Sequence, residues 1–167
     1  ELVGRDLGAA LAAVPQALPE RIVALHGHAP GLPPGDNVNA FGLPGDNLWS
    51  VDSDAPHLVL GLGGSDTIRG AGARDLLSGG AGADRLVGGP GGDWLLGDGG
   101  PDRLFGNRGP DRALGGTGAD RLHGGPGDDG LRGGAGPDGL HGGPGGGVLR
   151  GAAGRDRLEG GGGDDLA

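Results

Sequence analysis

The chain has 167 residues, of which 46 are Gly and 13 Pro, with only two Trp, two Phe and no Tyr, Met or Cys. So few large side chains exclude an ordinary interdigitated core over the whole length, and the lack of cysteine excludes disulfides and thiolate metal sites. A net charge of −9, from 19 Asp and three Glu against 13 Arg, argues against a nucleic-acid surface and for cation binding, and no apolar run reaches the length of a membrane span.

Residues 1–60 read as an N-terminal cap or linker remnant of low regularity. DLGAALAA at 6–13 suits a short helix, and ERIVALHG at 20–27 suits a strand or a second helix. His26 and His28 form an HxH pair, which binds zinc where further ligands converge, but in a Gly/Pro-rich stretch the simpler reading is two solvated side chains. GDNVN at 35–39 and GDNLW at 45–49 resemble each other at a spacing of ten and suggest degenerate turns, with Phe41, Leu48 and Trp49 covering an open apolar end. The chain begins with Glu, no basic segment followed by an apolar one marks a signal peptide, and the last repeat stops after eight residues. It is therefore expected to be a piece of a longer protein.

From Gly61 onward one period of nine residues governs the sequence through twelve units, the last incomplete: GLGGSDTIR, GAGARDLLS, GGAGADRLV, GGPGGDWLL and so on to GGGGDDLA. Position one is always Gly, position four is Gly except at Ala73, and position eight is Ile68, then Leu except at Ala113 and Ala167. The period overrides the disorder that such a Gly/Pro content would otherwise suggest. The Gly-rich positions one to six supply tight turns, and the following x-Leu-x is long enough for a short strand, with leucine facing inward and its neighbours outward. Two units make one turn of a flattened coil. The expected fold is therefore all-β, a parallel β-roll (a β-helix-like solenoid) over 61–167 behind the irregular cap. Its inner ladders are Ile68, Leu86, Leu104, Leu122, Leu140 and Leu158 facing Leu77, Leu95, Ala113, Leu131, Leu149 and Ala167. Ala113 should leave a thin spot that Leu114 would ease.

Position six is an aspartate in every unit but one: Asp66, Asp75, Asp84, Asp93, Asp102, Asp111, Asp120, Asp129, Asp138, Asp156 and Asp165, with Gly147 at the missing place. In the coil Asp66, Asp84, Asp102, Asp120, Asp138 and Asp156 stack along one edge and the others along the opposite edge. Two carboxylates about 5 Å apart repel by about 0.8 kcal/mol in water and about 3 kcal/mol at an effective dielectric near 20. Summed over about eight stacked pairs, the larger figure approaches about 25 kcal/mol, more than the usual net stability of a domain. A divalent cation between the loops removes that penalty. Carboxylate oxygens with turn carbonyls form an all-oxygen cage that favours calcium over zinc or copper, and over magnesium with its strict octahedron. About eight complete Ca2+ sites follow, with weakened or partial sites beside Gly147. Asp98, Asp128 and Asp164 lie off this pattern and read as solvated loop charges.

GGAGADRLV at 79–87, GGPGGDWLL at 88–96 and GGTGADRLH at 115–123 match the nonapeptide G-G-x-G-x-D-x-U-x throughout. The run over 61–167 thus resembles the RTX (repeats-in-toxin, haemolysin-type) calcium-binding family. The resemblance implies a parallel β-roll with calcium between successive turns, held by the position-six aspartates and loop carbonyls. It also implies export by a type I secretion machinery, folding outside the cell and a secreted, extracellular or cell-surface location. The family's usual C-terminal export signal is not visible.

No HExxH, no GxSxG, no phosphate-binding glycine loop and no lysine is present, so no catalysis is expected, and the repeated carboxylates read as architecture. Two functions remain. One is a calcium-induced folding module of a secreted toxin, protease or lipase-like parent, whose flanking domain lies elsewhere. The other is a stand-alone extracellular adhesion or spacer protein stiffened by calcium. An ice-binding roll would need a flat array of outward threonines, whereas the repeats hold only Thr67 and Thr117. His123 and His141, at position nine of units 18 residues apart, should stack on the outer face as a product of repetition.

Overall fold

The computed structural model describes the backbone of residues 21–25, 38–41, 44–51 and 54–167, and the side chains of 44–51 and 54–167. Its strands in chain order are β1 (Arg21–Leu25), β2 (Val38–Phe41), β3 (Asn47–Val51), β4 (His57–Leu60), β5 (Thr67–Arg69), β6 (Leu76–Ala81), β7 (Arg85–Pro90), β8 (Trp94–Gly99), β9 (Arg103–Arg108), β10 (Arg112–Thr117), β11 (Arg121–His123), β12 (Gly130–Ala135), β13 (Gly139–Pro144), β14 (Val148–Ala153) and β15 (Arg157–Gly162). Odd-numbered strands form one parallel sheet of eight and even-numbered strands a second of seven, each strand pairing with the next but one. That alternation is the expected β-roll.

Register fixes the core. Ile68 pairs with Leu86, Leu86 with Leu104 and Leu104 with Leu122 in one sheet, while Leu77 pairs with Leu95 and Leu95 with Ala113 in the other. The inward leucines from Leu77 to Leu149 are at most 2 % exposed, so each contributes the roughly 1.5–3 kcal/mol of a fully buried aliphatic side chain. Ala113 is buried as expected, but Leu114 points outward at 39 % exposure and cannot fill the gap, because adjacent residues of a strand face opposite sides. Leu158 is half-buried and Ala167, expected at the end of the second ladder, is exposed.

Most strands are longer than x-Leu-x. They run through the first three residues of the following repeat, as in RLVGGP of β7, whose burial pattern places Leu86 and Gly88 inward. Leucine at position eight and glycine at position one therefore face the interior together.

Both sheets continue upstream of Gly61. Trp49 of β3 pairs with Ile68, and Val59 of β4 pairs with Leu77. Trp49, expected to cover an open end, is instead a member of the inner ladder at 5 % exposure, while Leu48 lies on the outer face. Arg21–Leu25, read as strand or helix, is a strand paired with β3. The side chain of Phe41, the 6–13 helix and His26 with His28 lie outside the described residues.

The outer faces of the two sheets differ. Arg69, Arg85, Arg103, Arg121 and Arg157 project from the first, where Arg85 lies over Phe105, Phe105 stacks on His123 at 5.2 Å, and His141 follows at 5.8 Å. The second also carries exposed Arg112, Arg132 and Arg150, with Arg112 over Trp94 at 4.9 Å, but adds the exposed apolar residues Leu76, Trp94, Leu114 and Val148.

Candidate metal centre

Every repeat from Gly61 onward except 70–78 turns through two left-handed residues, at positions two and four. Gly82, Gly91, Gly100 and Gly118 hold φ between 121 and 154°, a region in which a β-carbon would collide with the carbonyl of the coil beneath. This turn carries the position-six aspartate back over the first glycine of its own repeat. A β-carbon at Gly97 would meet Oδ2 of Asp102 and the carbonyl oxygen of Gly115; at Gly106 it would meet Oδ2 of Asp111 and the carbonyl of Gly124. Invariant glycine at position one thus makes room for a carboxylate and a main-chain oxygen from the next coil.

The aspartates form two columns inside the loops. Asp66, Asp84, Asp102, Asp120 and Asp138 are buried along one edge, with Asp156 half-buried at its end; Asp75, Asp93, Asp111 and Asp129 are buried along the other, with Asp165 half-buried beyond Gly147. Within a column the links repeat. The amide of Asp66 donates to Oδ1 of Asp84 at 2.7 Å, that of Asp84 to Asp102 at 2.8 Å, and that of Asp102 to Asp120 at 2.9 Å. On the other edge the amide of Asp93 donates to Asp111 at 2.7 Å and that of Asp111 to Asp129 at 2.8 Å. At the gap, the amide of Gly147 donates to Asp165 at 2.8 Å, while a methyl of Leu149 lies against Gly142 where other repeats place a carboxylate oxygen.

The second carboxylate oxygen has a different fate. Oδ2 of Asp66, Asp84, Asp93, Asp102, Asp111, Asp120, Asp129 and Asp138 is buried with no hydrogen-bond partner. A buried carboxylate oxygen without a donor costs several kcal/mol in its charged form. Burial accordingly pushes these carboxyls up, to about 6 for Asp84 and Asp93 and about 7 for Asp102 and Asp111, with neighbouring aspartate charges adding and the amide hydrogen bond opposing. Asp66, Asp120, Asp129 and Asp138 are raised for the same first reason.

A hard cation answers each of these deficits. The oxygens are carboxylate, buried and without a hydrogen-bond donor, and a main-chain carbonyl borders the same space, which is the donor set calcium takes. Among the described residues no three His, Cys, Asp or Glu side chains converge on one point, so carbonyls must complete any coordination shell. The residues that would hold the ion are the position-six aspartates, with the first-position carbonyls of the following coil.

The off-pattern acids Asp98, Asp128 and Asp164 are exposed, as expected, and two of them also accept hydrogen bonds. Asp98 accepts from the Ser78 hydroxyl at 2.7 Å, and Asp128 accepts from the Gly146 amide at 2.8 Å. Two buried members of the columns were not anticipated. Asn47 stands one coil before Asp66 and His57 one coil before Asp75, each in the aspartate's place. The signal was present in DNLWSV and PHLVL, where a polar residue precedes the alternating strand as aspartate does downstream.

A parallel solenoid with acid-filled loops on both edges belongs to the class of calcium-organised repeat proteins. A model of the RTX calcium-binding nonapeptide repeat, in four copies, matches residues 60–95, 87–111, 96–131, 105–140 and 141–166. The chain belongs to this family, and its repeats are calcium-binding repeats. Comparison with curated proteins and with solved structures gave no match.

Proposed function

We propose that the chain is a non-catalytic module that calcium folds, part of a protein secreted through a type I machinery and acting outside the cell. The buried, donor-less Oδ2 atoms of the two columns carry this reading: the ionised protein cannot close the roll cheaply without cations, and calcium is abundant outside cells. In low calcium the charged columns and the entropy of the glycine turns keep the chain open. In calcium at about 0.1–1 mM, the range of extracellular modules, the roll closes cooperatively. The position-six aspartates that keep a donor-less Oδ2 are the ligands. Size-exclusion chromatography in chelator and in calcium tests this, since folding contracts the chain severalfold in volume. An elution volume that calcium leaves unchanged would refute it.

A second reading, an extracellular adhesion or spacer protein, draws support from the outer face of the even-numbered sheet. Leu76, Trp94, Leu114 and Val148 are exposed there, and a hollow of about 590 Å³ lies among Arg74, Trp94, Pro110, Arg112, Asp128 and Val148. Binding of an extracellular surface that is lost with Trp94→Ala, in protein already loaded with calcium, would favour it.

A further inference from the structure

One repeat departs from all the others. Every unit from Gly61 onward has left-handed residues at positions two and four except 70–78, which has none. Its sequence, GAGARDLLS, puts Ala71 and Ala73 at those positions, and Ala73 cannot enter the region that Gly82 and Gly91 occupy at φ 143 and 154°. The loop takes another course, and the amide of Ala71 donates to Oδ2 of Asp75 at 3.0 Å.

The coil before it is equally unusual. His57 occupies the aspartate's place, and both its amide and its ring Nδ1 lie 2.9 Å from Oδ1 of Asp75. A carboxylate only accepts, so Nδ1 carries the hydrogen. The two side chains are 2 % and 0 % exposed. Asp75 therefore has protein donors on both oxygens, whereas the other eight buried column aspartates each keep an unpartnered Oδ2.

We infer that repeat 70–78 is a metal-free clasp: His57 and the Ala71 amide saturate Asp75, and the ion column on that edge begins at Asp93. At the head of the other edge, the amide and Nδ2 of Asn47 both donate to Oδ1 of Asp66, at 2.8 and 3.0 Å, while Oδ2 of Asp66 has no donor, so Asp66 remains a ligand. The two columns are thus unequal at their heads, and the chain holds fewer ions than its stacked aspartates suggest. This rests on the calcium reading above.

The test counts bound calcium by native mass spectrometry in the wild type, Asp75→Asn and Asp93→Asn. Asp75→Asn is expected to keep the wild-type number and Asp93→Asn to lose at least one ion; equal losses would overturn the clasp. A wild type that bound no calcium would refute the family-based reading instead. The clasp has its own readout in melting temperatures of His57→Ala, Asp75→Asn and the double variant. Either single change is expected to lower the midpoint, with the double variant falling no further than the lower single one. Additive shifts would show that the two residues act apart and would overturn the clasp whatever the ion count.

Discussion

The amide of Asp93 donates to Oδ1 of Asp111 across one coil at 2.7 Å, and the amide of Asp111 donates in turn to Asp129 at 2.8 Å. Asp111 is thus both acceptor and donor in its column, while Asp165, half-buried, accepts only from the Gly147 amide. In calcium-loaded protein Asp111→Ala should cost about 1–3 kcal/mol through the stranded Asp93 amide, besides a lost ligand, and Asp165→Ala under about 1 kcal/mol. Thermal unfolding of both variants checks the ranking, and equal losses would contradict it.

Filling the gap at Gly147 should have opposite effects with and without metal. The position has no left-handed backbone, but a β-carbon there lies 3.0 Å from Oδ1 of Asp165 and 3.2 Å from a Leu149 methyl, so both neighbours must shift slightly. Gly147→Asp is expected to raise the calcium count and the melting point in calcium, and to lower stability in chelator by adding a like charge. Calorimetric titration and melting curves measure the two effects.

Acid should stabilise the metal-free fold. The folded carboxyls of Asp102 and Asp111 sit near 7, far above their unfolded value, so the unfolded chain ionises first as pH rises. The metal-free roll is most stable below about pH 4 and loses that stability as pH rises through about 7. Calcium holds the same carboxylates ionised, so its binding weakens in acid as protons compete. Circular dichroism of metal-stripped and calcium-loaded protein between pH 4 and 8 should give slopes of opposite sign.

Ala152 holds φ 80° at position two, where Gly134 of the preceding coil has φ 120°. Ala152→Gly should relieve that strain and stabilise the roll by about 0.5–1 kcal/mol net of the added chain entropy. Gly134→Ala should destabilise it by more, because its β-carbon would strike the Gly116 carbonyl. Denaturant midpoints of the two variants decide this.

The nine-residue period made the coil, its 18-residue register and the ladder from Ile68 to Leu149 readable, because a strict repeat imposes the same local solution each time. The aspartate columns were legible for the same reason. What escaped was where the repeat degenerates. The coil at 47–60 keeps the alternation but spaces its units at 10 and 19 and replaces aspartate by Asn47 and His57, so no period marks it. The role of glycine at position one was hidden because it depends on a carboxylate folding back from five residues on. Leu114 was misplaced by counting volume before strand parity.

The central claim is that calcium folds this chain, and the most direct measurement is far-UV circular dichroism during a calcium titration from metal-stripped protein near pH 7.5, with magnesium as control. A cooperative transition from coil to β-structure with calcium, and little with magnesium, is the predicted result. A β-spectrum already complete in chelator would contradict it.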